Sequence, residues 1–135
     1  MRNIPIALTA GILLTTAAPS WAQFVPTLGS DTPRVCPDQP PQPEWIDNIA
    51  PRDAHRGNLV QEIYRAQSMQ AVAEAEDCAC DIRFPSWEAA EAVYSERYSG
   101  IKDRWEVIDL TSEYSRTAND LRRIAKPICK EQGNW

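Results

Sequence analysis

Four cysteines in a chain of 135 residues, Cys36, Cys78, Cys80 and Cys129, constrain this sequence more than any other feature, because two of them are one residue apart. Bridging Cys78 directly to Cys80 closes a very small, strained ring. The alternative is two structural bridges that leave neighbouring positions for different partners. Four cysteines allow three pairings, and the pairing follows the architecture. In a three-helix bundle the last helix ends beside the end of the first. Cys129 then reaches Cys78 or Cys80, and the other takes Cys36. In a hairpin of two unequal helices Cys129 lies far from the hinge, pairs with Cys36, and leaves Cys78 and Cys80 to each other.

An even cysteine count reads as two disulfides only where the compartment is oxidising, and the N-terminal residues supply that context. Arg2 precedes an uncharged apolar run from Ile6 to Leu14. Ser20-Trp21-Ala22 then places small residues three and one positions before a cut, with Gln23 as the new N-terminus. That order predicts a signal peptide over residues 1–22, cleaved after Ala22, and a periplasmic or secreted protein. The apolar run is too short for a membrane anchor, which needs ~20 residues. No cysteine follows the cut to carry a lipid, and no later stretch is apolar enough to span. The whole chain carries a net charge of −5, and its first 22 residues hold one arginine and no acid. What remains is more acidic still, which argues against nucleic acid or anionic lipid as the main partner. Its length suits one domain with a modest core.

Residues 23–51 hold Pro26, Pro33, Pro37, Pro40, Pro41, Pro43 and Pro51. Proline fixes φ, removes a donor and keeps its predecessor extended, so this is an extended arm that Cys36 pins to the body, with a short helical turn over residues 44–50. Residues 52–135 form the helical domain. A first helix starts near Arg52 or Asp53 and runs to about Asp77, with Leu59, Ile63, Ala66, Gln70 and Ala73 on one face, Gln70 being its polar exception. The segment 78–85 is a connection, with any strand confined to residues 81–84. Ser86 is a suitable N-cap for the next helix. Tyr94, Tyr98, Ile101, Trp105 and Ile108 keep helical spacing, and after a slip near Thr111 it resumes as Tyr114, Ala118, Leu121, Ala125 and Ile128. Pro127 is expected to end or kink that helix. A break at Ser99-Gly100 gives a three-helix bundle; without it residues 86–126 form one helix ~60 Å long. The fold class expected is therefore mainly α: a small disulfide-stapled bundle of two to three helices with a proline-rich N-terminal arm.

No set of residues specifies a reaction. His55 is the only histidine and sits near a helix start beside Asp53 and Arg56, where a solvated or capping role is the plainer account. There is no Gly-X-Ser-X-Gly elbow and no phosphate-binding glycine loop. The carboxylates Glu88, Glu91 and Glu96, and Glu74, Glu76 and Asp77, read as solvated helix faces. Cys78 and Cys80 stand at a helix C-terminus beside Asp77 and Asp81, where the dipole and both acids oppose a thiolate. No cofactor or metal is expected. Trp87, Trp105, Tyr94 and Tyr98 fall on the expected inner face, while Trp45 and Trp135 lie in the arm and the tail and are the candidates to face a partner. The sequence thus points to a non-enzymatic accessory protein that binds another envelope or extracellular protein. An envelope-spanning secretion or conjugation assembly, or an inhibitor of an envelope enzyme, fits that compartment and size. A leftover apolar stripe would let the chain form a homo-oligomer. The alternative is a thiol-disulfide redox module using Cys78 and Cys80.

Overall fold

The computed structural model describes residues 36–135; the expected signal peptide and the first part of the arm lie outside the described residues. Helix forms over α1 (Glu44–Asp47), α2 (Ala54–Ala75), α3 (Cys80–Arg83), α4 (Glu88–Val93) and α5 (Arg104–Glu131). A 3-10 turn, Pro51–Asp53, leads into α2, and α4 runs on into one π-helical turn, Tyr94–Tyr98. There is no strand among the described residues; residues 81–84, where one was allowed, fall mostly in the α3 turn instead.

The long helices α2 and α5 make the largest interface. They run parallel: His55 and Asn58 near the start of α2 share a cleft with Arg104 and Ile108 at the start of α5, and Cys78, just past the end of α2, is bonded to Cys129 near the end of α5. The α4 segment returns antiparallel along α2. Its start places Trp87 on Tyr64, while its end places Tyr94 beside Arg56, a position earlier in α2. The chain therefore breaks where the bundle alternative required. Arg56 holds that break, because its guanidinium donates to the carbonyl oxygens of Ser99 (3.4 Å) and Ile101 (2.9 Å) and to the Tyr94 hydroxyl (3.2 Å). Asp103 then caps α5, its carboxylate accepting from the Trp105 N–H at 2.8 Å.

Two apolar clusters lie along this axis. The first joins Ile46, Leu59, Val60, Ile63, Tyr64, Ala90 and Val107. The second joins Met69, Val72, Cys78, Ala125 and Cys129, flanked by Ile82, Leu121, Ile128 and Trp135. The second has no contribution from α4. The cystines and the tail take its place, as expected where a core is too small to close on side chains alone. Cys36 is bonded to Cys80 and Cys78 to Cys129, with Cα separations of 5.5 and 5.0 Å. The described part of the arm is stitched down beyond Cys36. The Trp87 indole donates to the Pro40 carbonyl, and the Gln61 amide donates to Gln42 at 2.6 Å.

Four local expectations are corrected. Trp105 is not core: it is 71% exposed. The spacing that led from Tyr98 to Trp105 crosses a turn, and α5 restarts with Val107 inward. Ser86 does not cap α4, which begins at Glu88 with no side-chain cap; Trp87, stacked on Tyr64 at 3.8 Å between centroids, fixes that helix start by packing. Pro127 does not end α5, which continues to Glu131. The carbonyl it leaves without the usual helical partner belongs to Arg123, and Arg123 and Pro127 both lie on the exposed side of the helix. Gln70 lies on the expected inner face of α2 but is exposed, while Val60, Tyr64, Met69 and Val72 widen the buried stripe.

Candidate functional site

The α1 turn is short, and what it carries depends on how closely it meets α2. Ile46 points inward and is 6% exposed. A Cβ added to Gly57 would lie 3.1 Å from Ile46 Cγ2, so glycine is what admits the approach. The residue before Ile46 must then face outward, and it is Trp45, 39% exposed. Its indole N–H donates to Glu91 Oε1 at 2.7 Å, and its ring stacks on Tyr94 with centroids 6.0 Å apart and planes at 23°. Tyr94 is the first residue of the π-helical turn, and such turns occur often at functional sites.

These groups wall an open groove of about 540 Å³ lined by Trp45, Glu88, Glu91, Ala92, Tyr94 and Ser95. Two aromatic faces and two carboxylates make a surface that attracts a cation, through the ring quadrupole and through charge. A lysine or arginine side chain satisfies both. Trp105 lies at the same end of the bundle, just beyond the turn that Arg56 holds, so the two exposed indoles among the described residues belong to that end. The sequence singled out Trp45 but not its partners. Tyr94 packs against the first core cluster, as its spacing implies, and only the fold brings it together with Glu91 of the neighbouring helix face.

Trp135 is placed differently. It packs against the second core cluster, and its ring lies 4.9, 5.2 and 5.8 Å from the cationic centres of Arg83, Arg122 and Lys126. The tail that delivers it is locked at Cys78, whose N–H donates to Gln132 (2.8 Å) and whose carbonyl accepts from the Asn134 amide (2.6 Å).

His55 lines a cleft of about 230 Å³ with Ala54, Asn58, Arg104, Ile108, Thr111 and Ser112. Its Nδ1 is buried without a hydrogen-bond partner. The nearby hydroxyls are engaged with their own helix: Thr111 donates to the Val107 carbonyl at 2.8 Å and Ser112 to that of Ile108 at 3.0 Å. No nucleophile-base pair is assembled there. Among the described residues no three metal-ligating side chains converge, and no helix is long and apolar enough to cross a membrane. Cys78 and Cys80 are bonded to distant partners rather than to each other. Comparison with protein-family models, with characterised proteins and with solved structures finds no match for this chain.

Proposed function

We propose that this chain is an exported, non-enzymatic accessory protein that binds another envelope or extracellular protein through the Trp45 groove. The observation that carries the reading is the Trp45–Tyr94 stack edged by Glu88 and Glu91. The partner it fits presents a lysine or arginine side chain, which meets two aromatic faces and two acids. Two disulfides in a small helical body support an oxidising compartment. The signal-like N-terminus supports export.

The test is a titration of the disulfide-intact protein with short peptides that differ only in one central residue, arginine or glutamine, followed at the Trp45 indole N–H resonance. The expected result is a saturable shift with the arginine peptide that is at least several-fold weaker with glutamine, and that is strongly reduced in Glu88→Gln/Glu91→Gln, which keeps the reporting indole. Equal response to both peptides, or an undiminished response in the variant, refutes this site. The redox alternative is separated by Cys36→Ser/Cys80→Ser. A staple predicts reduced stability with no change in any exchange rate, whereas a redox module predicts a folded protein that no longer exchanges with an added disulfide.

A further inference from the structure

The far end of the bundle carries the opposite charge to the groove. Asn119, Arg122, Arg123 and Lys126 line a concavity of about 460 Å³ on α5, and no carboxylate lines it. Arg122 and Lys126 are one helical turn apart, so they share a face. Both also flank the Trp135 ring, which Arg83 approaches from the α3 turn. Asn119 is orientated for the same purpose: its side-chain oxygen accepts from Arg65, leaving its NH2 group as a donor. Among the described residues the only ion pair at the rim is Arg123–Asp120 at 3.7 Å, on the surface.

Ordinary structural causes do not account for this concentration of cations on an acidic chain. The helix C-terminus attracts cations, but with only about half a charge and only within its last turn. Arg122 and Lys126 lie more than one turn before Glu131, where α5 ends. The indole face holds an exposed cation far more weakly than a charge-assisted hydrogen bond to an oxyanion does. Among the described residues neither Arg83, Arg122 nor Lys126 is paired with a carboxylate. Arg83 adds a buried Nε with no hydrogen-bond partner, and burial lowers its pKa from the ordinary arginine value.

We propose that this concavity is a phosphate-binding site, with Arg122 and Lys126 as its principal ligands, Asn119 and Arg123 as additional donors, and Arg83 completing the positive field behind Trp135. A phosphate group is the chemistry that fits, because it presents several acceptor oxygens and more than one charge to several donors on one helix face. The site does not depend on the Trp45 groove.

The experiment uses the full disulfide-bonded chain in two arms at fixed ionic strength. In the first, inorganic phosphate is titrated against a chloride control while the Trp135 indole and Arg122 side-chain resonances are followed. In the second, sedimentation measures binding to vesicles of phosphatidylglycerol and of phosphatidylcholine. Saturable shifts in the first arm assign a free phosphate or phosphoester. Binding to phosphatidylglycerol and not to phosphatidylcholine assigns a phospholipid headgroup. In either case Arg122→Gln/Lys126→Gln weakens binding by about tenfold or more, while Arg52→Gln, a surface arginine of the 3-10 turn, leaves it unchanged. Arg122 is exposed and Lys126 half-buried, and a matched melting curve for the double variant confirms an intact fold. Absence of binding in both arms, or binding that the double variant retains, overturns the proposal.

Discussion

Tyr114 projects from α5 toward the π-helical turn, its hydroxyl 3.1 Å from that of Tyr98 and the two rings edge-on at 79°. Burial, the hydrogen bond to Tyr98 and the proximity of that second phenol push its pKa up to about 12. The unfolded chain releases this proton near the ordinary tyrosine value of about 10. Between those values the folded state holds more protons than the unfolded one, so stability is fully present below about pH 10 and falls as pH rises toward about 12. Denaturant midpoints at pH 9 and pH 11 should therefore differ more for the wild type than for Tyr114→Phe. At this scale the sequence was only partly informative. Tyr114 and Tyr98 were placed inward correctly by their spacing, but no spacing announces that two phenols separated by a turn will meet. Trp105 shows the opposite failure: its spacing was helical, yet the helix it counted from had already ended.

The turn between α4 and α5 is held by one side chain rather than by its glycine. A Cβ on Gly100 would meet nothing within 4 Å, so Gly100→Ala should be neutral or stabilising by about 0.4–1 kcal/mol. Arg56→Ala removes the bonds to Ser99, Ile101 and Tyr94 and should cost about 1.5–3 kcal/mol, the range for hydrogen bonds to a charged group. Gly57→Ala reverses the Gly100 result. Overpacking against Ile46 at about 1–3 kcal/mol exceeds the roughly 0.5–1 kcal/mol gained in helix propensity, and α1 should shift outward with Trp45. Equilibrium urea unfolding of the three variants checks the order. Helix existence along α2 and the second half of α5 was legible from periodicity because long amphipathic faces repeat the signal many times. The turn was not, because its determinant, Arg56, lies more than 40 residues away in the chain, and glycine drew attention to the right place for the wrong reason. Pro127 does not end α5. The rule against proline inside a helix weighs most where the lost partner leaves a buried carbonyl, and here Pro127 and Arg123 both lie on the exposed side.

Across the whole molecule the bundle has one end built by aromatic packing and another built by cystines. The first end carries Trp45, Glu88 and Glu91; the second carries Trp135, Arg122 and Lys126. Removing the Cys36–Cys80 bond with Cys36→Ser/Cys80→Ser should cost about 2–5 kcal/mol, by releasing the arm in the unfolded ensemble. The urea midpoint should fall accordingly, with α2 and α5 still bonded through Cys78 and Cys129. The sequence reduced the architecture to two alternatives, each tied to a cysteine pairing, but the choice rested on where helices end in space. The bonds that exist also interleave: the first cysteine in chain order joins the third, and the second joins the fourth. A ribosome or a translocation pore delivers these residues one after another, so the first two thiols able to meet, those of Cys36 and Cys78, are not a native pair. Any Cys36–Cys78 bond made while the chain emerges has to be undone by thiol exchange before the native pairs can form. The yield of the protein therefore depends on reshuffling as well as on oxidation, and a disulfide isomerase should raise that yield more than a stronger oxidant does.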